Sequence, residues 1–204
     1  MRNLFLFSLS LLLLAACGNQ DSNSGEPTKI GAVDKPQPES KNPPAFNESF
    51  QKMLTSYYSL RDAFVEYDTA KVNTVSKQLA ADAGSLKLDA LKGDTSDVVK
   101  ATAKDYTTTV QTAAGDIALQ KDFNKKQRQF QTASDALYEL VRTVQYDREK
   151  IYHQHCPMAF DNEGAYWISN SHEIVNPYMG KKHPKYRSAM LECGDIPDSL
   201  NFAK

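Results

Sequence analysis

The chain has 204 residues, 24 of them Lys or Arg and 25 Asp or Glu, for a formal net charge of −1. Once a targeting segment is subtracted, that length leaves room for one domain and one core, and charges of both signs interspersed along it give no footprint for a polyphosphate backbone, which excludes nucleic acid as an expected partner. A hydrophobic share of 41 % beside 24 % charged residues is the composition of an ordinary soluble domain, not of a membrane bundle.

The opening run MRNLFLFSLSLLLLAAC has one basic residue, Arg2, then an apolar stretch from Leu4 to Leu14, then small residues. It reads as a secretory signal peptide over residues 1–16, too short and wrongly flanked for a spanning helix. Leu14-Ala15-Ala16-Cys17 resembles the bacterial lipobox, which implies that Cys17 is lipidated and becomes the mature N-terminus. An ordinary signal peptide would instead leave Cys17 an unpaired thiol in an oxidising compartment. Acyl chains gain roughly 0.8 kcal/mol per buried methylene, so a multiply acylated cysteine is a lasting anchor. The expected location is therefore the envelope of a Gram-negative bacterium, on the outer membrane facing the periplasm, with surface exposure left open. Residues 17–44 hold five prolines and almost no large apolar side chains. They read as a disordered tether with a root-mean-square span of about 30 Å.

From Phe46 the pattern turns helical, and residues 45–147 are expected to form a four-helix up-down bundle in a mainly α fold. The first segment, about Phe46 to Tyr67, places Phe46, Phe50, Met53, Leu54, Tyr57, Leu60, Phe64 and Tyr67 on one stripe. The second begins near Asp68, a candidate N-cap, and carries Val72, Val75, Leu79, Ala83 and Leu86 before KGDTSD, where Gly93 is the expected stop and Asp94 the next cap. The third, about Thr95 to Gln120, has threonines and Gly115 that weaken its propensity, so packing must sustain it. The fourth, about Asp122 to Tyr146, runs through Phe123, Gln127, Phe130, Ala133, Leu137, Val141 and Val144. No histidine precedes His153, which removes the Glu-x-x-His pairs a di-metal carboxylate bundle needs. The aromatic stripe of Phe50, Tyr57, Phe64 and Phe130 is read as core, and the bundle as scaffold.

Residues 148–204 are expected to form a β-hairpin and loop cap. The stretch from Tyr152 to Gly194 holds both cysteines of the mature body, all four histidines, the only tryptophan and three of the five methionines. Thiolate, thioether and imidazole are the ligands a soft metal takes, and copper is the first candidate. Proline after Cys156 holds that residue extended. If the extension continues, Cys156 and Met158 project to one side while His153 and His155 share the other. Asp161 to Gly164, DNEG, reads as the hairpin turn that returns the chain through Ala165, Tyr166, Trp167 and Ile168. Trp167, Tyr166 and Tyr178 are read as a hydrophobic plug seating the cap, and His172 as a solvated loop residue. No His-Glu-x-x-His helix, phosphate-cradling glycine loop or Gly-x-Ser-x-Gly elbow is present, and adjacent His155 and Cys156 would point apart in a strand. An enzyme is not expected, nor an organic cofactor.

Four pieces in order, Cys156-Pro157-Met158-Ala159, Gly164-Ala165-Tyr166-Trp167, Asn176-Pro177-Tyr178-Met179-Gly180 and Met190-Leu191-Glu192-Cys193-Gly194, resemble an uncharacterised family of bacterial envelope proteins. Its signature segment also occurs at the C-terminus of some periplasmic adaptors of copper/silver efflux. MLTSYYSLRDAFVEYDTAKV is similar to that family's first helical hairpin. The resemblance implies a helical domain with a heavy-metal-associated cap, carried here by Cys156, Met158, Met190 and Cys193, and an efflux system or other envelope protein as partner. Two departures stand out: Met179 replaces an expected aromatic residue, and KKHPKYRSA lengthens the approach to Met190. Met179 and His183 are then further thioether and imidazole donors, and His155 a further ligand that this sequence, not the resemblance, suggests. Copper in the cuprous state, silver and zinc are all served by thiolates. A disulfide between Cys156 and Cys193 competes with metal: it would close a loop of about 36 residues and stabilise by roughly 3.5 to 4 kcal/mol in the chain-entropy model, making the chain a metal-free interaction module.

Overall fold

The apolar stripes and the two aspartate caps place four helices close to where the periodicity puts them. The computed structural model describes residues 41–91 and 97–203; the signal peptide, Cys17, most of the tether, and Gly93 and Asp94 lie outside these residues. The helices are α1 (Pro44–Val65), α2 (Thr69–Gly84), α3 (Val98–Leu119) and α4 (Phe123–Val144). Asp68 opens α2 by accepting from the Lys71 N–H at 2.9 Å, and Asp122 opens α4 by accepting from the Lys125 N–H at 2.8 Å. The links Glu66–Asp68 and Gln120–Asp122 are too short for anything but antiparallel neighbours. α2 ends at Gly84 rather than running to Leu86, and a single 3-10 turn, Leu88–Ala90, follows it.

Propensity and packing divide the work differently in each helix. In α3 the hydroxyls of Thr107, Thr108 and Thr109 donate to carbonyls four residues back at 2.7 to 3.0 Å, so these residues are satisfied within the helix. Its small buried residues Ala103, Ala113 and Ala114, with Val110 and Ile117, let the neighbouring helices close in. Across the α1–α4 seam the contacts are aromatic: Tyr57 stacks on Phe130 with centroids 5.3 Å apart and Phe64 meets Phe130 at 4.9 Å, and just past the end of α4 Tyr146 stacks on Phe50 at 4.4 Å. Phe50, Tyr57, Phe64 and Phe130 are fully buried, as core spacing predicts. Tyr67 lies past the end of α1 in a left-handed conformation (φ 55°) and stacks on Phe123.

The C-terminal segment forms a three-stranded antiparallel sheet in the order β2-β1-β3, built from β1 (Ile151–Cys156), β2 (Ala165–Ser169) and β3 (Asp195–Leu200). The β1–β2 hairpin is the expected one. Its link is more elaborate than a tight turn, because Phe160, Asp161 and Asn162 are all left-handed (φ 54°, 60° and 73°) within the short turn Ala159–Asn162. Arg128 supports that strained turn, its guanidinium 3.9 Å from the Phe160 ring centroid and bonded to both Glu163 oxygens. β3 is not anticipated by the sequence. It contains Pro197, and its pairing with β1 slips between His153 and His155, where the strand absorbs an extra residue.

Two tyrosines close the outer edge of β2. The Ile168 N–H donates to the Tyr57 hydroxyl at 3.1 Å, and the Tyr178 hydroxyl donates to the Tyr166 carbonyl at 2.6 Å. An edge that would otherwise be open to another strand is thus satisfied from α1 and from the loop after β2. That loop is itself bound to the bundle: the Gln127 amide donates to the carbonyls of Pro177 and Tyr178 at 2.9 and 3.2 Å. The Lys181 N–H donates to Val65 O at 2.8 Å. Gly180 permits this approach, since a Cβ there would lie 2.4 Å from Val65 O.

Candidate functional site

Cys156 ends β1, directly before Pro157, with its side chain fully buried. Cys193 is half-buried at the end of a turn in which its N–H donates to Met190 O at 3.0 Å. The strand register brings the two together: Asp195 pairs with His155, so the residues just before Asp195 are carried back past Cys156. Gly194 makes the crossing tight, with φ 153° and an absent Cβ that would lie 2.5 Å from His155 O. The outcome is a pair of adjacent, unbonded thiols. Burial pushes the Cys193 thiol up, and Cys156, within hydrogen-bonding reach, pushes it further.

Asn176 fixes the Cys193 segment from the other side. Its Nδ2 donates to Cys193 O at 2.6 Å and its N–H donates to Leu191 O at 2.8 Å. Glu192 and Gly194, the chain neighbours of Cys193, border an open groove of about 820 Å³ whose other walls include Glu173, Ile174, Leu191 and Asp195. The Gln154 amide shapes that groove by donating to Ser171 O and Glu173 O at 3.1 and 3.0 Å. Across β1 and β2 Gln154 faces Trp167, and both Gln154 Oε1 and Trp167 Nε1 are buried without a hydrogen-bond partner.

The remaining ligand candidates are distributed less simply. β1 stops at Cys156, so the extended alternation expected to aim Met158 beside it does not continue; Met158 begins the following turn with φ −94° and ψ −5°. Met158 and Met190 are both half-buried against the core, and each remains within three residues of a cysteine in the chain. His155 does not join the thiols, because strand alternation sends it to the opposite face, as it does His153. There Tyr166 lies between the two imidazoles, 4.7 Å from His153 and 4.4 Å from His155, and Tyr138 stacks on His153 at 3.8 Å. His155 Nδ1 sits 3.3 Å from Asp195 Oδ1. Among the described residues no group of three or more His, Cys, Asp or Glu side chains is placed to hold a metal ion together, so the thiols stand as a pair. Met179 is buried in the core, and His183 accepts from the Lys185 and Tyr186 N–H groups while stacking on Tyr186. His172 is exposed, as expected. Trp167 and Tyr178 form the plug, 6.0 Å apart, but Tyr166 belongs to the histidine face instead.

That face has its own pH dependence. Burial pushes His153 down to about 4, offset by attraction to Asp198 and reinforced by His155 and Arg142. Tyr138, whose hydroxyl donates to Asp198, is pushed up to about 12 by burial and by that carboxylate. The unfolded chain takes up a proton on His153 near pH 6.5 that the folded protein refuses until about pH 4. This part of the stability is complete above 6.5, falls as pH drops, and levels off near 4, a loss of about 3 kcal/mol. Urea unfolding of wild type and His153→Phe at both ends of that window checks it: the wild-type slope should be steeper.

Comparison with known proteins covers the bundle. Residues 53–149 match the family described as a protein of unknown function, DUF3347. The matched stretch runs from within α1 to the link before β1, so the cap with its two thiols lies beyond it. No curated protein and no solved structure matches the chain.

Proposed function

We propose that this protein is a lipid-anchored component of a Gram-negative cell envelope, held by an acylated Cys17 and facing the periplasm, whose cap binds a soft metal ion for buffering, storage or hand-off to efflux machinery. The observation that carries this reading is the adjacency of Cys156 and Cys193, two free thiols within hydrogen-bonding reach of each other. Two sulfurs already side by side need little reordering to grip a thiophilic ion, and a cuprous ion is satisfied by few, soft ligands. Met158 and Met190, two and three residues from a cysteine in the chain, are the candidate thioethers, and the carboxylate-bearing groove beside Cys193 offers a cation an approach. Because burial and Cys156 hold the Cys193 thiol protonated, binding must displace protons, so affinity rises with pH. The likeness of the four cap segments to copper/silver adaptors agrees with this chemistry.

The same adjacency favours a second reading. In an oxidising compartment two neighbouring thiols form a disulfide, and the cap would then be a stapled, metal-free docking module. Cuprous titration of the reduced mature protein separates the two, read by the fluorescence of Trp167, the only tryptophan. Equimolar binding with quenching and proton release, lost in Cys156→Ser, is the expected outcome. Weak binding unchanged in that variant, with a mass two hydrogens short as isolated, would establish the docking module instead.

A further inference from the structure

Asn176 is fully buried, and both ends of its side-chain amide are bonded. Its Oδ1 accepts from the Tyr178 and Met179 N–H groups at 2.8 and 3.0 Å, folding the turn it opens. Its Nδ2 donates to Cys193 O at 2.6 Å, and its own N–H donates to Leu191 O at 2.8 Å. The segment so gripped needs it: Leu191, Glu192 and Cys193 belong to no strand, β3 begins only at Asp195, and the Cys193 side chain has the other thiol as its polar neighbour. The turn that holds Asn176 is fixed in turn by Gln127 and by Tyr178, whose ring lies in the plug against Trp167.

We propose that Asn176 is the positioning residue of the dithiol: its Nδ2–H holds the Cys193 main chain so that the Cys193 sulfur stays against Cys156, and thereby sets both the metal affinity and the reduction potential of the pair. The inference rests on the dithiol being the working site, and its test does not depend on metal. Asn176→Asp retains the oxygen that folds the Tyr178–Met179 turn and replaces the donor to Cys193 by a carboxylate oxygen that repels the Cys193 carbonyl.

The measurement is the equilibrium of the mature protein's dithiol with reduced and oxidised glutathione, alongside cuprous titration. In Asn176→Asp the effective concentration of one thiol toward the other should fall about tenfold or more, the range expected for a buried acceptor that loses its donor, and cuprous affinity should fall with it. An equilibrium within about twofold of wild type overturns the proposal. If wild type binds no cuprous ion while the variant still shifts the glutathione equilibrium, the metal reading falls and the positioning role stands. Should the variant fail to fold, the wild-type protein decides: the Asn176 side-chain amide proton should be protected from solvent exchange in the reduced state, and exchange at the rate of a free amide overturns the assignment.

Discussion

Gly194→Ala should separate the two thiols while leaving the helices in place. The new Cβ would lie 2.5 Å from His155 O and 3.3 Å from both Ile174 Cγ2 and the edge of Trp167, at a backbone φ of 153° that side chains rarely adopt. The His155 carbonyl belongs to the central strand, so no rotamer change relieves the overlap. The segment from Cys193 to Asp195 must lift instead. Overpacking of this kind costs about 1–3 kcal/mol, and the displacement falls on the residue next to Cys193. Cuprous affinity should drop at least tenfold, read by competition titration, with the far-UV helical signal unchanged. Affinity equal to wild type would mean that Cys193 is not held where the fold places it.

Trp167→Ala should bring the largest loss of stability, about 3–5 kcal/mol. Trp167 is among the largest fully buried side chains; it packs on Tyr178 and lies under Gly194, so it joins the sheet, the loop after β2 and the approach to Cys193. Its Nε1 has no partner, which offsets part of what the ring contributes. Trp167→Phe, which removes that N–H and keeps an aromatic ring, should therefore cost distinctly less than Trp167→Ala. Urea midpoints of the two variants and wild type test the ranking. Near-equal losses would indicate that ring volume is not what seats the cap.

How much of this was open to a reader of the sequence depends on the range of the interactions. The bundle was legible because its signals are local: apolar residues every three or four positions, and Asp68 and Asp122 standing where helices begin. The β1–β2 hairpin and the facing of His153 and His155 away from Cys156 were likewise legible, since strand alternation is a property of neighbours in sequence. β3 was not, because Asp195–Leu200 carries Pro197 and two aspartates and shows no alternation. Its pairing rests on contacts with β1, about forty residues earlier. Tyr166 was misassigned to the plug for a related reason: its neighbour Trp167 faces the core, so Tyr166 must face the histidines.

Asn176 shows both sides of the limit. An asparagine before proline signals a turn in which its oxygen caps the residues that follow, and Oδ1 does this with Tyr178 and Met179. The donation from Nδ2 to Cys193, 17 residues on, has no local signature. The approach of the two sulfurs belongs to the same class, fixed by the register between His155 and Asp195 rather than by the types of the residues involved.

Binding of a soft metal ion by Cys156 and Cys193 together, as proposed, has a spectroscopic signature. X-ray absorption on the reduced, cuprous-loaded protein tests it most directly. The expected first shell is sulfur alone, without imidazole, and it disappears when both cysteines are replaced by serine. A shell of nitrogen and oxygen ligands, or a copper signal that survives in the double variant, would contradict it.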